Sequence, residues 1–201
     1  MTISRYTCEI ATIMAISRFW EGKAMGRNAK TTEFLMECMS DSLLKLMGEK
    51  AFEDITINEI AALAGVNRST WFRNFASKKE AITYKYIRLW ERWAEEHNIA
   101  ERRGFSINNA QEFFDFNYSI QHIHRIVYSA KLQSALFDAF YLVMSPQFGA
   151  NAAECYQSRF FSYGLFGFLD EWIKRGFCET SEEITHMFLD MIKEKIDTGT
   201  Y

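Results

Sequence analysis

Thr56–Glu80, TINEIAALAGVNRSTWFRNFASKKE, decides how this 201-residue chain is read. Thr56 and Glu59 have the spacing of a capping box, in which the hydroxyl accepts from the backbone N–H three residues on and the carboxylate accepts from the N–H of the capping residue. A helix is therefore predicted from Ile57, with Ile57, Ile60, Ala61 and Ala64 at the i, i+3, i+4, i+7 spacing that turns one stripe toward a core. Gly65 ends it, because glycine enters the left-handed conformation just past a helix without steric penalty. Val66 then points into the core, and Asn67 caps a second helix that starts at Arg68. On that helix Trp71 and Phe75 lie one turn apart and share a face, while Ser69, Thr70, Phe72 and Arg73 point elsewhere. Ser77 and Glu80 form another capping box, so a third helix starts at Lys78. Two short helices across a tight turn, followed by a capped third, have the layout of a helix-turn-helix.

A helix that enters the major groove needs small hydrogen-bonding side chains near the bases and cations where they can meet phosphate. Arg68, Ser69, Thr70, Arg73 and Asn74 supply both. A plain helical hairpin with a solvated polar face would explain the caps and the apolar stripe equally well. It does not explain Arg68, Arg73, Lys78 and Lys79 gathered without one acidic residue between Gly65 and Lys79.

On these residues the segment from about Lys30 to Tyr86 resembles the DNA-binding domain of the TetR family of bacterial transcriptional regulators. The shared run ends in an aromatic, an arginine, a polar residue, a phenylalanine and a Ser-Lys pair before a long fourth helix. The resemblance implies that Arg68, Ser69, Thr70, Phe72, Arg73 and Asn74 form the recognition helix. It also implies phosphate contacts from Lys78, at the positive end of the fourth helix, and from Thr56. Two departures stand out: the aromatic facing DNA is usually tyrosine, whereas Phe72 has no hydroxyl to bond a phosphate, and Trp71 replaces a smaller buried phenylalanine.

Composition agrees with an all-α chain in two parts, an N-terminal three-helix helix-turn-helix domain and a C-terminal helical ligand and dimerisation domain. A hydrophobic fraction of 48% can fill cores, and a single proline, Pro146, permits long helices. Residues 25–80 carry eight Lys or Arg against eight Asp or Glu, whereas 81–201 carry twelve against sixteen, so the net charge of −3 arises in the second part. A neutral domain with its cations around the turn suffices for DNA, since only cations near phosphate release counterions. Cys8, Cys38, Cys155 and Cys178 follow no metal or disulfide spacing and suggest a reducing cytoplasm, with a thiol sensor as the lesser alternative to small core residues. His122 and His124 diverge on a helix. No metal, no cofactor and no enzymatic activity is expected, for lack of a nucleophile with a base, a phosphate-binding glycine loop or metal-ligand spacing.

Three parts of the chain are expected: residues 1–29 as an extension, 30–86 as the DNA-binding domain, and 87–201 as the effector and dimerisation domain. The apolar run Ile10–Ile16 is too short to span a bilayer, and no persuasive secretory cleavage site follows it, so no membrane association is expected. Translation starting at Met25 is one reading of the extension; a real amphipathic arm is the other. A first helix over Thr31–Met47 and a fourth over Lys78–His97 are predicted. Residues 105–201 hold 20 of the 32 aromatic residues, and helices are predicted there over Ala110–Tyr128, Lys131–Met144, Ala152–Arg175 and Ser181–Ile196, the last opened by a Thr180/Glu183 capping box.

The third of these helices is apolar around so much of its circumference that it must be buried on more than one side. A central helix of one subunit would satisfy this, and so would a subunit interface. By the resemblance, such proteins pair through their last two long helices into a four-helix bundle. That implies a twofold dimer joined through Phe161, Gly164, Leu165, Phe168, Trp172, Met187, Phe188 and Met191, presenting two reading heads to a near-palindromic double-stranded DNA operator. The run Tyr163–Ile184, YGLFGFLDEWIKRGFCETSEEI, further resembles the C-terminal domain of a subgroup often found in Firmicutes, some of whose members are coactivators paired with another protein. Phe113, Phe116, Tyr118, His122, Tyr128, Phe137, Phe140 and Tyr141 would enclose a small apolar or aromatic effector, or form ordinary core. The expectation is a homodimeric repressor released by such an effector; the alternative is a TetR-like coactivator working through a protein partner.

Overall fold

The computed structural model describes residues 29–99, 107–144 and 151–198, and among them every regular element is helical. In order these are α1 (Ala29–Met47), α2 (Ile57–Leu63), α3 (Arg68–Asn74), α4 (Lys78–Glu96), α5 (Ala110–Ser119), α6 (Gln121–Ser129), α7 (Gln133–Met144), α8 (Ala152–Lys174) and α9 (Ser181–Thr198), with 3-10 turns at Phe52–Asp54 and Ile107–Asn109. The reading of the N-terminal extension, and most of the breaks predicted at Glu101–Asn109 and Ser145–Asn151, lie outside the described residues. The chain divides into two compact units at Lys85/Tyr86, so α4 contributes to both.

In the first unit α1 packs against α2 and α3. Met39 and Leu43 of α1, Ile60 and Ala61 of α2, Trp71 and Phe75 at the end of α3, and Ile82 of α4 are all buried. Both ends of α2 follow from local chemistry. The Thr56 hydroxyl accepts from Glu59 N at 3.3 Å and Glu59 Oε2 accepts from Thr56 N at 2.9 Å, which completes the capping box. Beyond α2, Gly65 adopts φ +67° while Val66 N donates to Ala61 O (2.9 Å) and Gly65 N donates to Ala62 O (3.2 Å). These are the two bonds of a Schellman motif, which satisfy carbonyls that a helix end leaves open. Asn67 caps α3 by backbone position alone, with no side-chain bond, and Val66 is half-buried. Lys85, itself buried, pairs with Asp41 at 2.6 Å and ties α4 to α1.

The second unit is held together by aromatic side chains. Phe114 is fully buried and meets Phe168, Trp172 and Phe188 at centroid distances of 5.9, 5.8 and 5.6 Å, which joins α5, α8 and α9. Edge contacts of this kind add to the burial of the rings themselves. The Thr180/Glu183 box opens α9 as expected, with Glu183 N donating to Thr180 Oγ1 (3.2 Å) and Thr180 N to Glu183 Oε2 (2.8 Å). The helix predicted over Ala110–Tyr128 is instead broken at Ile120, whose φ −101° and ψ 18° leave the helical basin. Ser119 Oγ donates to Phe116 O at 2.7 Å, the local competition that bends a helix. The stripe continues across the kink through Phe116, Ile120, Ile123 and Val127, so periodicity alone did not reveal it.

No atom lies within 4 Å of a Cβ built on Gly65, so replacement there carries a purely conformational penalty. Gly65→Ala is expected to lower the unfolding free energy by about 1–2 kcal/mol, read as a lower urea midpoint with an unchanged slope. An unchanged midpoint would refute the requirement for a left-handed residue at this turn.

Candidate nucleic-acid interface

Helix α3 has only seven residues, too few to persist on its own. Its position comes from Trp71 and Phe75, whose rings lie 5.1 Å apart and are both buried, with Phe75 meeting Tyr84 of α4 at 5.8 Å. With that side anchored, Arg68, Ser69, Phe72 and Arg73 are left exposed and Thr70 half-buried. At 3.6 residues per turn the four exposed residues cover a sector of about 140°. The Arg68 guanidinium sits 5.1 Å from the centroid of the Phe72 ring, which is 57% exposed. Arg73 folds back along the helix, Nε donating to Ser69 O and Nη2 to Thr70 Oγ1, both at 3.3 Å. The surface offers a cation, a hydroxyl, an aromatic ring and a second cation, with no carboxylate on the helix.

Three other residues expected at DNA are otherwise engaged. Asn74 lies three residues after Trp71, on the anchored side; it is buried and its Nδ2 donates to Thr70 O at 2.7 Å. That amide is used in holding the helix and does not face outward. Lys78 Nζ donates to Ile55 O (2.8 Å) and to Phe52 O, and stands 4.3 Å from the Phe52 ring centroid. Burial pushes its pKa below the usual lysine range, against the opposing pull of Glu53 and Asp54. In this structure Lys78 therefore fastens the 3-10 turn to the start of α4. Thr56 is exposed, but its hydroxyl proton goes to Glu59 Oε2 at 2.8 Å. Glu59 is held at a pKa of about 2 by Lys50 first and by Thr56 after it, so the box stays charged at neutral pH. The Lys50–Glu59 pair, nine residues apart, was not foreseen because no local spacing announces it.

In the second unit an apolar cavity of about 50 Å³ opens between α4, α5 and α7. Phe113, Phe116 and Phe140 line it, together with Tyr86, Ile87, Trp90, Leu136 and Met144. Tyr86 and Trp90, one turn apart on α4, join this lining although the sequence reading placed no pocket residue on that helix. The other residues expected at a pocket lie elsewhere. Tyr118 stacks on Trp172 (6.0 Å), Tyr128 donates to Asp170 (2.8 Å), and Phe137 packs on Tyr163 (4.6 Å). Tyr141 lies under the Arg159 guanidinium (3.9 Å), and His122 is exposed. Behind the cavity wall the Tyr86 hydroxyl is 3.2 Å from His124 Nδ1, and burial, with His122 adding, holds that imidazole at a pKa of about 3 and therefore neutral.

Helix α8 is apolar on two opposite faces. Leu165, Leu169 and Trp172 point into the unit's own core, whereas Tyr156, Phe160 and Tyr163 are exposed at 80, 67 and 56%. Of the residues expected at a subunit interface, Leu165, Trp172 and Phe188 are buried within the unit and Phe168 is half-buried against Phe114 and Phe188. Their side chains are already covered, so Phe161, Gly164, Met187 and Met191 remain on the open side. A Cβ at Gly164 or Gly167 would meet nothing within 4 Å. Cys155 and Cys178 are exposed and Cys38 half-buried, unlike the core residues such thiols usually are.

Residues 41–81, from the middle of α1 to the start of α4, match a family model described as bacterial regulatory proteins, tetR family. Residues 109–194 match one described as transcriptional regulator C-terminal region. No curated protein matches the chain.

Removing the Lys78 ammonium leaves the carbonyls of Phe52 and Ile55 without that donor. Lys78→Ala is expected to reduce stability by about 1–3 kcal/mol in urea denaturation, whereas Arg68→Ala stays within about 0.5 kcal/mol of the parent. Equal stability of all three proteins would mean that Lys78 does not hold this turn.

Proposed function

We propose a mechanism for a chain that belongs to the TetR family of transcriptional regulators: it acts as a homodimeric repressor that inserts α3 of each subunit into the major groove of a double-stranded operator. The observation that carries this reading is the outward sector of Arg68, Ser69, Phe72 and Arg73, backed by two buried rings. Guanidinium groups bond guanine edges in pairs, and hydroxyls bond either base edges or phosphate. Twofold pairing would cover the exposed face of α8 with Met187 and Met191 of α9, and Gly164 and Gly167 would admit a close neighbour. Two heads would then meet an operator of matching symmetry.

Release by a small apolar or aromatic effector fits the cavity, whose lining is almost wholly hydrocarbon and aromatic. A benzene-sized occupant needs a cavity of about 150 Å³, so the 50 Å³ seen here must widen when filled. Tyr86, Ile87 and Trp90 belong to the same helix whose first turn carries Lys78, so pressure on that wall acts on an element common to both units. An effector that prefers the widened cavity lowers operator affinity only by its differential affinity for the two states.

Footprinting of the DNA flanking its own gene tests this reading. Protection by the purified protein, lost on adding an apolar or aromatic effector, is expected; protection that requires a second protein would favour the coactivator alternative. Arg68→Ala is expected to weaken binding of the protected duplex by about 1–3 kcal/mol, and unchanged affinity would remove Arg68 from the reading surface. Phe161→Asp with Met187→Asp should give a monomer by sedimentation where the parent is a dimer. Unaltered assembly would exclude this face as the interface.

A further inference from the structure

We infer that Phe72 reads the C5-methyl group of a thymine, and that Arg68 reads a guanine within about two base pairs of it. This rests on the DNA-binding reading above and assigns base chemistry to two named side chains. The Phe72 ring is 57% exposed on the outward sector of α3, although the rings at 71 and 75 on the same short helix are buried. Over it sits the Arg68 guanidinium, 5.1 Å from its centroid.

A phenyl ring has neither donor nor acceptor for a phosphate or for the polar atoms of a base edge. Inside a duplex the faces of the bases are stacked on one another and closed to it. The major-groove edge offers one apolar group, the thymine methyl, so this is where the ring can bury its surface. Arg68 lies one helical turn before Phe72 and about 40° around the axis, a rise of about 6 Å. With base pairs about 3.4 Å apart, its fork then falls within two steps of the methyl, where guanine O6 and N7 accept a bidentate pair. The cation–π contact restricts the guanidinium before DNA arrives, so less freedom is lost on binding.

The test selects duplexes from a randomised library on the full-length protein, then resynthesises the winning duplex with deoxyuridine at each thymine in turn. Deoxyuridine keeps the pairing and removes only the methyl. One position per half-site should lose affinity by about fourfold, the weight of one buried methyl, or about fifteenfold when both half-sites are changed. Phe72→Ala should bind the thymine and uracil forms equally, and the selected sequence should carry guanine within two base pairs of that thymine. Selection of a sequence whose affinity ignores the methyl, or a methyl effect that survives in Phe72→Ala, would overturn this assignment and leave DNA reading intact. Failure to enrich any sequence would overturn both.

Discussion

The contact between Trp71 and Phe75, 5.1 Å centroid to centroid with both rings buried, is what the outward face of α3 depends on. A helix of seven residues gains too little from its own hydrogen bonds to stay folded in water. Burying two large aromatic rings supplies the missing stabilisation, at about 25 cal/mol for each Å² of apolar surface covered. It also sets the rotation of the helix about its axis. With residues 71 and 75 turned inward, residues 68, 69, 72 and 73 have nowhere to go but out. The smaller elements around α3 hold this arrangement: the capping box and Schellman end fix α2, and Lys78 and Lys85 fasten α4 within the same unit.

The second unit uses aromatic bulk differently. Its centre is filled by Phe114, Trp172 and Phe188, while Trp90, Phe113, Phe116 and Phe140 surround a space they do not fill. Interiors ordinarily pack to crystal-like density, and the aromatic space beside α4 departs from that. On α8 a further set of rings lies on the opposite side from the core. One helix thus serves two apolar surfaces, which is why its sequence is apolar nearly all the way round.

Local signals made the helices legible, and distant partners made the side-chain roles hard to read. Thr56, Gly65 and Thr180 act within a few residues of themselves, so the ends of α2 and the start of α9 could be written from the sequence. Gly65 gave the turn and the inward pair gave the phase of α3. Lys78 looked available to phosphate because its acceptors, Phe52 and Ile55, lie 26 and 23 residues away. Asn74 looked like a base reader on its residue type and by the resemblance, although its spacing from Trp71 puts it on the anchored side, where its amide turns back to Thr70. Leu165, Trp172 and Phe188 were placed at a subunit interface by the resemblance, and the structure buries all three within their own unit.

Affinity cleavage would test the central claim most directly. An iron chelate tethered at position 69 through Ser69→Cys, with the native cysteines replaced, generates radicals where the outward face of α3 sits on a selected duplex. The account requires two clusters of cuts centred in major grooves a whole number of helical turns apart, about 34 Å for one turn. Cutting spread evenly along the duplex, or no stronger than from a tether at Glu53, would contradict it.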